Sequence, residues 1–315
     1  LSWRRAESVM LAEANVTMKE VTDYFGADGD RMHMVFNFML NQHMFLGFVR
    51  KDAEPIRRVL AMMPDLPVEG QWGTFLRNHD ELDLGRLSSL ERQEVFDAMA
   101  PDPGMTVYDR GIRRRLAPML EGDPRRLRLA YSLMFALPGT PVIWYGEEIG
   151  MGENLDLKER EAVRTPLQWS SRKNGGFSVC RPDELVREMT EEGDYGYARV
   201  NIDAQNNDAD SLLNFIRSLI RTRRAVPDIG WGKWEVLELD SRLLGLKCSW
   251  RGNSIVTVHN LSDETIEAKI DVMEGGERLV PILTGSSGRN PVTCGESFSL
   301  APYDFVWLRP DEDRR

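Results

Sequence analysis

The feature that most constrains the fold is an alternation of short apolar runs with longer amphipathic segments over the first two-thirds of the chain. This alternation is typical of βα units arranged around a mainly parallel sheet. The predicted strands are residues 8–12, 32–38, 73–76 and 141–145. The pattern therefore predicts an α/β fold in this part of the chain, with helices packed on the outside.

Two helices are clear from their periodicity. Residues 126–136 place apolar side chains at helical spacing before Pro138 and Gly139, and residues 211–224 do so before Pro227, with Asp210 as the expected N-cap. Between these helices, residues 170–207 are rich in Gly, Asn, Asp and Ser and lack a firm period. We expect a long irregular excursion there, and such loops are often functional.

The pattern changes after Trp231. Short runs, several of which alternate apolar with polar residues, are separated by Gly, Asp, Asn and Pro, as in half-buried antiparallel strands. We expect two domains, residues 1–230 with the βα units and residues 231–315 as an all-β antiparallel sandwich. The predicted strands of the second domain are residues 244–250, 255–260, 265–270, 279–283, 297–300 and 305–308.

Composition narrows the class of partner. The 315 residues carry a formal net charge of −10, which disfavours nucleic acid and anionic membrane surfaces as partners. No uninterrupted apolar run of about 18 residues predicts a membrane span. Cys180, Cys248 and Cys294 are widely spaced and predict neither a disulfide framework nor a metal site. The expectation is a cytoplasmic protein that uses no cofactor and no metal.

Acidic side chains follow two of the predicted strands. Glu13 comes directly after an apolar run, and His79 and Asp80 come shortly after residues 73–76. In a β/α barrel, catalytic side chains emerge at the C-terminal ends of the strands. Glu13 could there act as a general acid, and Asp80 could stabilise a positively charged transition state. From spacing alone, a solvated or helix-capping Glu13 is the commoner case, and a polar turn at Asp80 fits equally well.

Three segments resemble the motifs of a known family. Residues 11–15, Leu-Ala-Glu-Ala-Asn, residues 75–81, Phe-Leu-Arg-Asn-His-Asp-Glu, and residues 138–150 resemble the fifth, seventh and eighth barrel strands of glycoside hydrolase family 13, the α-amylase superfamily. The resemblance implies the C-terminal half of a (β/α)8 barrel. It also implies that Glu13 is the general acid/base, that Asp80 is the transition-state stabiliser, and that His79 donates a hydrogen bond to the sugar in subsite −1.

A finer resemblance runs through residues 100–103, 111–118, 163–169 and 176–178. These stretches are similar to the trehalose synthase branch of the family rather than to secreted α-amylases. The implied partner is an α-linked glucose disaccharide or oligosaccharide, with maltose rearranged to trehalose. Arg164 matches an arginine that contacts the substrate, and a surface salt bridge is its alternative. An α-glucosidase or α-amylase type of hydrolase, or a non-catalytic carbohydrate-binding remnant, are the alternative functions.

Two further groups of charged residues are expected to have structural rather than catalytic roles. Glu147 and Glu148 are expected in a packing and hydrogen-bonding segment near the barrel mouth. Arg113, Arg114 and Arg115 are expected on a solvated helix face with ion pairs.

The resemblance also predicts that this chain lacks the catalytic nucleophile of the family. A retaining glycosidase needs a second carboxyl group about 5 Å from the acid/base as its nucleophile. In the family this is an Asp at the end of the fourth strand, and residues 1–12 contain no Asp. The chain begins as though inside a domain. We therefore expect the parent protein to be the enzyme, and the chain alone to lack turnover and to be poorly stable, because a partial barrel exposes sheet edges.

Overall fold

The structure, a computed structural model, describes residues 8–26, 28–271, 276–286 and 289–311. Residues 1–7, on which the expected internal start partly rests, lie outside the described residues. The helices in chain order are α1 (Met18–Phe25), α2 (Phe38–Arg50), α3 (Glu54–Met62), α4 (Ser89–Met99), α5 (Leu116–Met119), α6 (Pro124–Ala136), α7 (Ile202–Asn206), α8 (Leu212–Ala225) and α9 (Asp228–Trp231). None of these described helices is long and apolar enough to cross a membrane.

The strands are short in the first part of the chain and longer in the last. In chain order they are β1 (Leu11–Ala12), β2 (Met34–Phe36), β3 (Gln71–Phe75), β4 (Leu82–Asp83), β5 (Thr106–Val107), β6 (Gly111–Ile112), β7 (Thr140–Val142), β8 (Lys233–Val236), β9 (Leu243–Trp250), β10 (Asn253–Asn260), β11 (Ile266–Lys269), β12 (Arg278–Thr284), β13 (Val292–Thr293), β14 (Ser297–Leu300) and β15 (Phe305–Pro310).

The four predicted strands of the first part form one parallel sheet. Its order is β1-β2-β3-β7, and each neighbouring pair is parallel, as expected for consecutive strands of a barrel. Ala12 pairs with Val35, and Phe75 pairs with Val142. The carboxyl ends of the strands therefore lie along one edge, where Glu13 and the residues after β3 project.

Helices α2 and α6 supply much of the core around this sheet. Eight consecutive residues of α6 are buried, so this helix is covered on all sides rather than on one face. Gly139, which precedes β7, has a φ of 114°, and a Cβ there would lie 2.7 Å from the carbonyl oxygen of Trp72. Only glycine allows the chain to pass this close to β3 as it enters β7.

The prediction that Asp210 caps α8 is wrong. Ser211 is the N-cap, because its extended backbone places its hydroxyl where it accepts a hydrogen bond from the Asn214 amide. The excursion 170–207 is largely irregular with short 3₁₀ turns, as predicted. It ends, however, in the short helix α7, which sequence periodicity did not reveal.

The last part of the chain is antiparallel, as predicted. A six-stranded sheet has the order β13-β12-β15-β10-β9-β8, and β11 pairs with β14 beside it. Buried side chains from both sheets, among them Val256, Leu279 and Leu300, form a core between them. The short strands β8 and β13 were not predicted.

One side of the six-stranded sheet joins the core of the first part. Leu244, Leu246 and Trp307 belong to the same buried cluster as the helices α2 and α6. The indole Nε1 of Trp307 donates a hydrogen bond of 3.0 Å to Ser132 on α6, and the Ser132 hydroxyl lies 2.9 Å from Nε2 of His259. The β-rich part therefore supports the helix that precedes β7.

Candidate active site

Three of the predicted site residues meet at the carboxyl ends of β1 and β3. Nε2 of His79 lies 3.8 Å from Oε1 of Glu13 and 3.7 Å from Oδ1 of Asp80. We call Glu13, His79 and Asp80 the Glu13 cluster. The side chains of Glu13 and His79 are 45% and 40% exposed, whereas that of Asp80 is 21% exposed. The cluster therefore opens to a substrate on the Glu13 side and is partly covered over Asp80.

The backbone that carries His79 and Asp80 is held by buried polar groups. Arg77 donates hydrogen bonds to the carbonyl oxygens of Asp80, at 2.7 Å, and Arg114, at 2.8 Å. Burial lowers the pKa of Arg77 to about 10. Asn41 on α2 donates to the carbonyl oxygens of Phe75 and Leu76, both at 2.8 Å. These hydrogen bonds satisfy backbone carbonyl groups at the end of β3 and hold the turn that follows the strand in place.

Two arginines hold the carboxylate of Asp80. Arg164 donates to the carbonyl oxygen of His79 at 2.7 Å and pairs with Oδ1 of Asp80, so the predicted site residue Arg164 does lie at the cluster. Arg160 lies 2.9 Å from Oδ2 of the same carboxylate. Sequence reasoning missed Arg160, because it lies in an irregular segment whose only signal was its position four residues before Arg164.

Two aromatic residues connect the segment around Arg164 to the Glu13 cluster. The ring of Trp144 lies 5.7 Å from the ring of His79, and its Nε1 donates to the carbonyl oxygen of Val163 at 3.3 Å. The Tyr145 hydroxyl donates to the carbonyl oxygen of Thr165 at 2.8 Å. The backbone on both sides of Arg164 is thus bonded to residues that directly follow β7.

The prediction of a solvated helix face for the three arginines is wrong. Arg115 is completely buried and donates to the carbonyl oxygens of Tyr145, at 3.0 Å, and Val163, at 2.8 Å. It also forms an ion pair of 3.0 Å with Glu147. The segment lies in the loop between β6 and α5, and its partners come from far along the chain, so helical spacing did not apply.

Glu147 lies in a packing and hydrogen-bonding segment, as expected. Burial raises the pKa of Glu147, and the nearby Arg115 and Arg77 oppose that rise. Its carboxylate also accepts a hydrogen bond of 3.2 Å from the Leu116 amide. Glu147 therefore joins the strand β7 segment to the start of α5.

The Glu13 cluster has the residue types of a metal site, since its ligand atoms all lie within 4.8 Å of one another. However, both oxygens of Asp80 already face guanidinium groups, those of Arg164 and Arg160. Each of these oxygens therefore already has a charged partner at contact distance, which leaves it poorly placed to ligate a metal ion. The arrangement suits a polar neutral ligand such as a sugar better than a metal ion.

A cavity of about 660 Å³ lies next to the cluster. Arg164 and Tyr145 form part of its wall, and residues between 166 and 187 supply the remainder, which is mostly apolar. Trp169 and Phe177, about half exposed, are the aromatic members of that remainder. Sequence reasoning predicted a functional excursion but not this cavity.

A parallel sheet whose strand ends bring together a glutamate, a histidine and an aspartate has the layout of a β/α barrel with acidic side chains at its active-site edge. The family description "Alpha amylase, catalytic domain" matches residues 112–232, and the chain belongs to this α-amylase family, glycoside hydrolase family 13.

Several of the similar curated proteins are trehalose synthases. The chain is 38% identical to the trehalose synthase of Thermus thermophilus over 97% of its own length and 33% of that protein. It is also 38% identical to the trehalose synthase/amylase of Mycobacterium tuberculosis, over 88% of the chain and 47% of that protein. The chain thus spans between a third and about half the length of these relatives.

The fold is similar to that of solved structures in the family. The α-amylase from H. orenii superimposes with a TM-score of 0.69 at 20% sequence identity, over 96% of this chain and 53% of that one. This likeness supports the assignment of a partial barrel followed by a β domain.

Proposed function

We propose that this chain supplies the acid/base and transition-state-stabilising half of the active site of a trehalose synthase-like enzyme that acts on α-linked glucose disaccharides. The observation that carries the proposal is the Glu13 cluster, which lies at the carboxyl ends of parallel strands beside Arg164. The similarity to trehalose synthases supports the choice of reaction.

In this proposal each member of the cluster has one task. Glu13 protonates the glycosidic oxygen as the leaving glucose departs, and its carboxylate later removes the proton of the attacking hydroxyl. Asp80 stabilises the positive charge that develops on the sugar ring. His79 donates a hydrogen bond from Nε2 to a hydroxyl group of the same ring.

The proposal also requires a nucleophile from outside this chain. Asp80 is a poor candidate for that task, because ion pairs with Arg160 and Arg164 reduce the availability of its oxygens for attack. A carboxylate from the parent protein, about 5 Å from Glu13, would complete the pair that retention requires. We therefore propose that the chain alone is inactive.

The choice between isomerase and hydrolase depends on which group attacks the covalent intermediate. If the released glucose stays bound, its hydroxyl attacks and trehalose forms; if water enters, free glucose forms. One relative is called a trehalose synthase/amylase, a name that includes both outcomes. We propose isomerisation as the main reaction, with the loop segment 150–178 limiting the access of water.

Two further proposals concern the chain as a whole. We propose domains at residues 1–230 and 231–315, because helices give way to antiparallel strands between α9 and β8. Helix α9 crosses the proposed boundary by one residue. We also propose a cytoplasmic location, which agrees with the absence of a disulfide among Cys180, Cys248 and Cys294.

The test is a product assay with maltose. The 315-residue chain, and the same chain extended by the coding sequence that precedes Leu1, are each compared with their Glu13→Gln variants. We expect trehalose from the extended protein, a loss of about 10²–10⁴-fold in its rate on Glu13→Gln, and no turnover by the chain alone. If the 315-residue chain converts maltose faster than its own Glu13→Gln variant, the proposed inactivity is overturned. If Glu13→Gln leaves the rate of the extended protein unchanged, the proposed role of Glu13 is overturned.

A further inference from the structure

We propose that Arg160 is a positioning residue that fixes the carboxylate of Asp80 and controls how the covalent intermediate is divided between transfer to glucose and hydrolysis. This inference rests on the proposed function. It concerns a residue outside the family motifs from which the site was predicted.

Arg160 bridges two consecutive carboxylates. Its Nη1 lies 2.9 Å from Oδ2 of Asp80, and its Nε lies 2.8 Å from Oε2 of Glu81. The side chain of Glu81 is only 4% exposed, and its other cationic neighbour, Arg110, is 3.8 Å away. Arg160 is therefore the nearer of the two cations that compensate the buried charge of Glu81, and the same group reaches the Glu13 cluster.

Arg160 and Arg164 hold the two oxygens of Asp80 from opposite ends of one short segment. Both arginines belong to, or directly follow, the 3₁₀ turn Glu159–Val163, which we call the 159–163 turn. Arg164 takes Oδ1 and Arg160 takes Oδ2. A carboxylate held at both oxygens cannot rotate freely, so its orientation toward a sugar ring is set before the substrate arrives.

Tyr108 adds a second connection between the 159–163 turn and the rest of the site. The guanidinium carbon of Arg160 lies 5.2 Å from the centre of the Tyr108 ring. The Tyr108 hydroxyl donates a hydrogen bond of 2.6 Å to Glu159. The turn is therefore attached to the rest of the protein through Glu159 as well as through Arg160.

Two effects follow if the guanidinium is removed. Asp80 loses one of its two orienting contacts, which weakens stabilisation of the transition state more than binding of the ground state. The 159–163 turn also loses its bond to Asp80 and Glu81, so water reaches the intermediate more often and competes with the retained glucose. An ion pair with a purely structural role would lower stability without changing the ratio of products.

The experiment measures maltose conversion by the natural-length enzyme and its Arg160→Ala and Arg160→Lys variants. We expect Arg160→Ala to lower kcat by about 10–100-fold, to change KM by less than about 3-fold, and to raise the ratio of glucose to trehalose several-fold. Arg160→Lys keeps the charge but lacks the forked guanidinium group that spans two carboxylates. Its kcat and product ratio should therefore fall between those of the parent and those of Arg160→Ala. An unchanged kcat and product ratio in both variants would overturn the inference.

The matched control is Arg181→Ala. Arg181 lies in the excursion 170–207 that follows the 159–163 turn, and its replacement removes the same charge. Its side chain, however, is 70% exposed and pairs with Asp183 and Glu184 rather than with the cluster. We expect this variant to keep the kcat and product ratio of the parent. A shift equal to that of Arg160→Ala would mean that the product ratio responds to the loss of any arginine in residues 159–207, and it would overturn the specific role of Arg160.

A second readout separates this inference from the proposed function. If the natural-length enzyme does not convert maltose, the proposed function fails, and amide hydrogen exchange then tests Arg160 by itself. Arg160→Ala should speed exchange across residues 159–164 by about 10-fold relative to Arg181→Ala, because the turn opens more easily. Equal exchange in the two variants would overturn the positioning role.

Discussion

At the residue scale, the site depends on a buried arginine that contacts no substrate in our proposal. Arg115 bonds the carbonyl oxygens of Tyr145 and Val163 and pairs with Glu147. Removing one member of a buried ion pair leaves the other charge uncompensated, which costs far more than the loss of a surface pair. Arg115 therefore supports both the segment after β7 and the backbone beside Arg164.

We expect Arg115→Met to lower the free energy of unfolding by about 3–5 kcal/mol, because Glu147 is left buried without its ion-pair partner. Urea denaturation measures this change. Arg199→Met is the control, since Arg199 and its partner Asp194 are 69% and 84% exposed and such pairs contribute little. Similar losses in the two variants would contradict the buried network as we describe it.

Sequence motifs predicted some site residues and could not predict others. Glu13, His79 and Asp80 stand next to apolar runs, and Arg164 lies in a recognisable stretch, so local sequence identified them. Their catalytic and binding roles remain predictions. Arg115 and Arg160 interact with groups about 30 to 80 positions away. No local pattern reveals such partners, because the fold alone brings them together.

At the element scale, the start of α8 gives a direct test of capping. Ser211→Ala removes the hydroxyl that accepts from the Asn214 amide, and we expect a loss of about 1 kcal/mol in the free energy of unfolding. Asp210→Ala should change stability much less, because only the backbone of Asp210 bonds to Arg128. Chemical denaturation of both variants checks this, and the reverse order would restore Asp210 as the cap.

His259 on β10 links stability to pH. It is completely buried, and burial lowers its pKa from 6.5 to about 3. Between these two values the unfolded chain binds a proton that the folded chain does not, so the folded state loses stability as the pH falls below about 6.5. We expect a loss of roughly 1.4 kcal/mol for each pH unit in that window.

The measurement is the free energy of unfolding of the parent and of His259→Gln at several pH values between 4 and 7. The carboxylates contribute equally to both proteins, so the difference between the two curves isolates His259. We expect the parent to lose stability more steeply on acidification. Parallel curves would show that His259 does not resist protonation in the folded state.

Elements with a strong period were predicted well, and short ones were not. The apolar spacing of α6 and the long, largely buried runs of β9 and β10 extend over many residues, which makes their type clear. Elements of two to five residues, such as α7 and β13, carry too few positions for a period. Their existence depends on contacts such as the bond from Gln205 on α7 to the carbonyl oxygen of Ile149.

At the scale of the whole molecule, the parallel sheet has an exposed edge at β1. Among the described residues, β1 pairs only with β2, and Val9 and Leu11 are 62% and 44% exposed. Unpaired backbone groups beside exposed apolar side chains favour association with a second strand. We expect the isolated chain to self-associate as its concentration rises.

Sedimentation velocity over a range of concentrations tests this expectation. Val9→Lys adds a charge at the edge and should weaken association, whereas Val186→Lys is the control, since Val186 is 87% exposed but belongs to the excursion rather than to the β1 edge. A chain that stays monomeric at every concentration would contradict the prediction. An equal effect of both variants would place the association elsewhere than at β1.

The sequence by itself determined the class of each part, because hydrophobic periodicity depends only on which positions face a core. It also identified Glu13, His79, Asp80 and Arg164 through motifs next to strand ends. Only the tertiary structure decided that Arg160 spans Asp80 and Glu81, and that Arg115 is buried beside Glu147. The physical reason is that long charged side chains pair with groups that are close in the folded structure but far apart in the sequence. No local sequence pattern indicates such partners.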